Sequence, residues 1–154
     1  MYKELTSVTR LLQEARRPIF IWGAGIRAYK EEALALARSL GIPVACTWGA
    51  VDCIDHDDPL MAGGFGTHGT RAANLAVQNS DLVISIGCRL DTKATGNPKH
   101  FARNAAIVMV DVDRAELDGK PVGLLRHGNH HPDRRLFIVR LFHEAWPTRN
   151  DDNN

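Results

Sequence analysis

The chain has 154 residues and 17.0 kDa, a length for one domain, with 44% apolar and 24% charged residues, enough to bury an ordinary globular core. Nineteen basic against eighteen acidic side chains give a formal net charge of +1, which excludes a basic footprint for nucleic acid or an anionic membrane. No apolar run approaches the roughly 20 residues of a membrane span, residues 1–16 are too polar for a signal peptide, and the three cysteines Cys46, Cys53 and Cys88 lack CxxC spacing, which points to a reducing, cytoplasmic setting rather than a disulfide framework or a four-cysteine zinc site.

Residues 7–17 place Val8, Leu11, Leu12 and Ala15 at helical spacing, and Pro18 stops the helix. Residues 19–22 read as a buried strand that runs into Gly23-Ala24-Gly25. A second helix is expected over 28–40, with Ala33, Leu34, Leu36, Ala37 and Leu40 on one face and Gly41 ending it. Residues 43–48 form the next strand. Strand, glycine turn, helix and strand make a βαβ unit, whose crossover demands a parallel sheet.

The pattern then repeats. Residues 52–69 read as a loop rich in Asp, His, Pro and Gly, followed by a helix over 70–79 whose small residues Ala72, Ala73 and Ala76 suit close approach to a sheet. Residues 81–86 are a strand ending at Gly87, 89–105 a polar connection without periodicity, and 107–112 a further strand closing on Asp111-Val112-Asp113. A closing amphipathic helix is expected over 133–146, with Phe137, Ile138, Leu141, Phe142 and Ala145 inward. Residues 1–146 thus read as one domain and 147–154 as a tail, disordered over 149–154. The fold class is α/β: a doubly wound, Rossmann-like parallel sheet of about six strands with helices on both faces.

In such a sheet ligands bind beyond the carboxyl ends of the strands. The first strand end carries Gly23-Ala24-Gly25-Ile26-Arg27-Ala28, which fits G-x-G-x-x-[G/A]. The first Gly permits a tight turn, the second admits a pyrophosphate, Ala28 permits close helix packing, and the helix N-terminus suits a phosphate. The acid that would bind a ribose about 20 residues on is missing, because Thr47-Trp48 stands there; Glu31 and Glu32 would also compete with an anion. A standard NAD site is therefore not expected, and a glycine turn required by the fold alone is the competing reading.

Gly66, Thr67, His68, Gly69 and Thr70 lie in a second glycine cluster, able to form a backbone N–H nest with Thr70 as N-cap, or else a flexible connection. The third strand end supplies Gly87 and Arg89, a guanidinium able to reach a phosphate or carboxylate or to pair with Asp91 or Asp111. Cys88 reads as packing. The fourth end carries Asp111 and Asp113, suited to ribose hydroxyls or to helix capping. His127, His130, His131 and His143 have no companion carboxylate at a fixed helical offset and are not read as a metal site. No catalytic residue is assigned.

The chain resembles the central domain of thiamine-diphosphate-dependent enzymes of the acetolactate synthase (acetohydroxyacid synthase) type. The stretches that carry the likeness include Arg17-Pro18-Ile19-Phe20-Ile21-Trp22-Gly23-Ala24-Gly25, Gly66-Thr67-His68-Gly69-Thr70-Arg71-Ala72-Ala73-Asn74-Leu75-Ala76-Val77, Ser80-Asp81-Leu82-Val83-Ile84-Ser85-Ile86-Gly87 and Val110-Asp111-Val112-Asp113-Arg114-Ala115-Glu116-Leu117, together spanning about residues 5–120. The run from Arg89 to Gly96 is similar to a divergent branch. The resemblance implies a domain lying between two thiamine-binding domains in a homo-oligomeric parent enzyme. It implies an FAD or, in other branches, an ADP held by residues matching Gly23, Ala24 and Gly25, Gly66 to Thr70, Gly87, Arg89, Asp111 and Asp113. Some branches have lost the ligand, leaving a structural and interface domain. Thiamine diphosphate and Mg²⁺ would belong only to the complete parent: neither its catalytic glutamate nor its Gly-Asp-Gly metal–diphosphate motif is found here. From about Leu124 the family's final strand and turn are replaced by an unfamiliar sequence.

Overall fold

The computed structural model describes residues 2–111 and 136–139, with side chains over residues 6–111. Helix α1 runs Tyr2–Glu14, earlier than the spacing predicts. The chain leaves the helix because the amides of Arg16 and Arg17 donate to the two carboxylate oxygens of Asp81, each at 2.9 Å, and so turn into strand β1 (Pro18–Trp22). A short 3₁₀ turn over Ala24–Tyr29 precedes α2 (Lys30–Leu40), which ends at Gly41 in the left-handed conformation that glycine adopts without strain.

Strand β2 (Val44–Cys46) is shorter than expected, and a 3₁₀ turn over Trp48–Ala50 follows it. Inside the predicted 52–69 loop lies an additional strand, β3 (Met61–Gly64). Met-Ala-Gly-Gly carries none of the β-branched residues that mark strands, so its pairing with β2 is set by tertiary context. Helix α3 (Arg71–Gln78) starts at Thr70, whose hydroxyl accepts from the Ala73 amide at 3.2 Å. Strand β4 (Leu82–Ile86) leads to a single turn, α4 (Thr92–Thr95), capped by Asp91, and then to β5 (Ala106–Val110).

Strand β6 (Leu136–Val139) pairs parallel with β5, in register from Ile107↔Leu136 to Val110↔Val139. This overturns the closing helix predicted over 133–146: the apolar run Leu-Phe-Ile-Val satisfies helical spacing and strand burial equally, and the open edge of β5 selects the strand. The remainder of that prediction, the tail, the histidine cluster and Asp113 lie outside the described residues.

The six described strands run parallel in the order β3-β2-β1-β4-β5-β6. Alternation along β1 divides the core. Phe20 and Trp22 face α1 and α2 through Val8, Leu11, Ala33 and Ala37, while Ile19 and Ile21 face α3 through Ala73 and Val77. The sheet is therefore covered on both faces, as its continuous apolar strands require. Two predicted faces need correction. Leu36 and Leu40 are 46% and 44% exposed, so α2 packs through Ala33, Ala37 and half-buried Leu34 alone; Ala72 and Ala76 are also exposed, so α3 packs through Ala73 and Val77. No helix among the described residues is long and apolar enough to cross a membrane.

Candidate functional site

The strand order reverses between β1 and β4, the place in a doubly wound sheet beyond whose strand ends ligands bind. The turns are knitted together beyond the strands: Gly23 N–H donates to the Ile86 carbonyl (3.0 Å), Gly25 N–H to Gly87 (3.1 Å), and Gly87 N–H to Val110 (2.8 Å). A β-carbon on Gly23 would collide with the Gly87 carbonyl oxygen, and one on Gly25 would stand 2.9 Å from the Gly87 Cα. These glycines are thus required by the approach of two backbones. Ala28 is exposed and does not perform the helix-packing role expected of it; buried Ile26 does. The anion-binding helix N-terminus expected after Gly25 is also absent, because a 3₁₀ turn of six residues stands there.

The second glycine cluster is equally self-satisfied. Both backbone groups of Gly66 bond the Asn74 side-chain amide at 3.0 Å. The amides of Thr67, Gly69 and Thr70 donate to the carbonyls of Lys93, Gly66 and Gly64. The amides of Gly66, Thr67, Gly69 and Thr70 are thus spent within the turn, on Asn74 of α3 and on Lys93 of α4, and do not stand open as a nest. What the turn presents outward is side chains, His68 foremost.

One cleft of about 1140 Å³ opens over the strand ends. Gly23, Ala24, Gly25, Thr67, His68, Gly69, Thr70, Gly87, Arg89 and Asp111 all line it, from four separate segments of the chain. Gly66 is buried behind the turn and does not. Exposed Arg89 and Lys93 bring positive charge to one wall, and half-buried Asp111 stands at the end of β5. Leu90, only 1% exposed, holds φ +47° beside Arg89. That left-handed conformation is strained for leucine, and burial of its side chain holds it.

Trp48 is the group that residue spacing did not single out. It follows β2, lines the cleft, is 76% exposed, and sets its ring 5.2 Å from that of His68 at an interplanar angle of 42°. Arg27 fixes the turn that carries it: Nε donates to the Gly49 carbonyl at 2.9 Å, while the two terminal nitrogens clasp the Asp52 carboxylate at 2.9 and 2.7 Å. That hydrogen-bonded guanidinium lowers the Asp52 pKa below its ordinary value. Burial, followed by the charges of Cys53 and Asp52, pushes the Cys46 thiol up to about 12. The cysteines form no disulfide, and the described residues contain no cluster of three or more metal-ligating side chains.

Residues 5–126 match the family described as thiamine pyrophosphate enzyme, central domain. Among curated proteins, the chain is 40% identical over 124 residues to a probable acetolactate synthase large subunit of Methanococcus aeolicus, covering 79% of this chain and 20% of that one. It is 42% identical over 113 residues to the chloroplastic acetolactate synthase 1 of Zea mays, covering 73% and 18%. A probable acetolactate synthase large subunit of Methanocaldococcus jannaschii is 40% identical over 121 residues, covering 77% and 20%. The chain spans about a fifth of the length of these relatives.

Proposed function

Because this chain belongs to the central-domain family of thiamine pyrophosphate enzymes, we propose that it is the nucleotide-binding domain, for FAD or ADP, of an acetolactate-synthase-like enzyme. The observation that carries the reading is the cleft over the strand ends, which gathers ten of the twelve residues singled out from the sequence. Its contents suit a nucleotide. A floor of glycine backbone lets a pyrophosphate lie close, Arg89 and Lys93 offset phosphate charge, and Asp111 accepts from ribose hydroxyls. At about 1140 Å³ the cleft also exceeds the range of roughly 300–1,000 Å³ usual for small-molecule pockets. With the glycine amides spent internally, phosphate recognition falls to Arg89, with Gly23, Gly25 and the 66–70 turn shaping the space.

Thiamine diphosphate and Mg²⁺ belong, in this reading, to flanking domains of a longer, homo-oligomeric parent, where the chemistry takes place. This domain supplies ligand binding and interface. A reducing, cytoplasmic location completes the proposal. A ligand-free structural role is the second reading, favoured by the hydrogen bonds within the glycine turns. An absorbance scan of the purified chain separates the two. A flavin spectrum supports the first, while colourless protein that takes up neither FAD nor ADP supports the second.

A further inference from the structure

Asn74 stands in the middle of α3, where asparagine is a poor helix former because its amide competes with the backbone for hydrogen bonds. Here that amide leaves the helix for another segment. Oδ1 accepts from the Gly66 N–H and Nδ2 donates to the Gly66 carbonyl, both at 3.0 Å, so one side chain grips one residue at two points. Gly66 is buried and holds φ +109°, a conformation that other residues rarely adopt. A β-carbon there would stand 3.0 Å from the Lys93 carbonyl oxygen. Neither Gly66 nor Asn74 lines the cleft.

The next two residues do line it: Thr67 and His68 are exposed and stand directly beyond the gripped glycine. Thr67 is tied in turn to α4, its amide and its hydroxyl both donating to the Lys93 carbonyl at 2.9 and 2.5 Å. The turn thus joins α3 to the element whose Lys93 shares the charged wall with Arg89. We infer that Asn74 is a positioning residue of the site: by gripping Gly66 it fixes where Thr67 and His68 stand against the Arg89–Lys93 wall, and so sets ligand affinity without touching the ligand. The task needs an acceptor and a donor on one short planar group. Aspartate has the same shape but, ionised, offers no proton to the Gly66 carbonyl. This rests on the nucleotide-binding reading and adds to it a residue outside the cleft.

Asn74→Asp makes the grip switchable. Protonated, the carboxyl restores both bonds; the opposed carbonyl and partial burial favour that form. Calorimetric titration of the full 154-residue chain with ADP and, separately, FAD compares wild type, Asn74→Asp and Asn74→Ala at about pH 8 and about pH 5. His68 on the turn, Arg71 on α3, and Asp91 and Lys93 at α4 are the charged groups on the elements that meet here. All three proteins share them, so wild type at each pH is the reference. At the higher pH Asn74→Asp should bind about 10-fold more weakly than wild type or worse, and at the lower pH it should approach wild type. Asn74→Ala should stay weak at both. Hydrogen exchange at the Thr67 and Thr70 amides, followed by NMR without nucleotide, should show the same pattern. Asn74→Asp binding that equals wild type at the higher pH, or that acid does not restore, overturns the positioning role and leaves the nucleotide site standing. Wild type that binds neither nucleotide overturns the underlying reading as well. Equal amide protection in wild type and Asn74→Ala overturns the grip itself, with or without a ligand.

Discussion

Gly23 and Gly87 meet where the strand order reverses, so closely that neither turn has room for a β-carbon on Gly23. The floor of the cleft is therefore bare backbone for a reason internal to the sheet, and ligand access follows from it. Substituting Gly23 by Ala forces backbone apart rather than displacing a mobile side chain. The expected cost is about 3 kcal/mol or more, read as a fall in the urea midpoint. Gly41→Ala meets nothing within 4 Å and suffers only its φ of +63°, so its cost should be nearer 1 kcal/mol. Equal midpoints for the two variants would contradict this account of the crevice.

The Arg27–Asp52 pair gives a signed pH dependence. Asp52 has its pKa depressed in the folded state, so its contribution is present above the unfolded value, about 4, and disappears as pH falls through the lower folded value. Both side chains are more than half exposed, which makes the effect small. Asp52→Asn should melt slightly below wild type at neutral pH, and the gap should close in acid. A gap that widens below pH ~4 would reverse the assignment.

Cys46 titrates with the opposite sign. Its folded pKa, about 12, lies above an unfolded value near 8.5. Stability is retained below the unfolded value and falls as pH rises toward the folded one. At neutral pH the thiol is protonated and buried, so it should react with an aromatic disulfide reagent only after denaturant is added. Rapid labelling of Cys46 in native protein would show that β2 opens readily.

Leu36 and Leu40 lie one helical turn apart on α2, both nearly half exposed. Relatives about four times as long have further chain available to cover such a face. We predict that the isolated chain self-associates and that Leu36→Glu with Leu40→Glu lowers the mass measured by light scattering. A clean wild-type monomer at high concentration would count against it.

The parallel sheet was legible because 19–22, 82–86 and 106–110 are apolar runs, broken only by Ser85, that each end at glycine or aspartate. β3 was not, since Met61-Ala62-Gly63-Gly64 has no strand propensity and exists through β2. At the site, glycine spacing located the crevice but not the use of its amides. Gly66 bonds Asn74, eight residues on, and Gly87 bonds Val110, on another strand, so each depends on tertiary approach. Trp48 was visible in the sequence only as the residue standing where a ribose-binding acid was missing; its exposure decides its reading.

The central claim is nucleotide binding in this cleft, and the most direct test is calorimetric titration of wild type and Arg89→Ala with FAD and ADP. The account predicts saturable binding by wild type and a loss of about 1.5–3 kcal/mol in Arg89→Ala, the scale of a charge-assisted hydrogen bond. Wild-type protein that binds neither nucleotide, or binds one with an affinity that Arg89→Ala leaves unchanged, would contradict it.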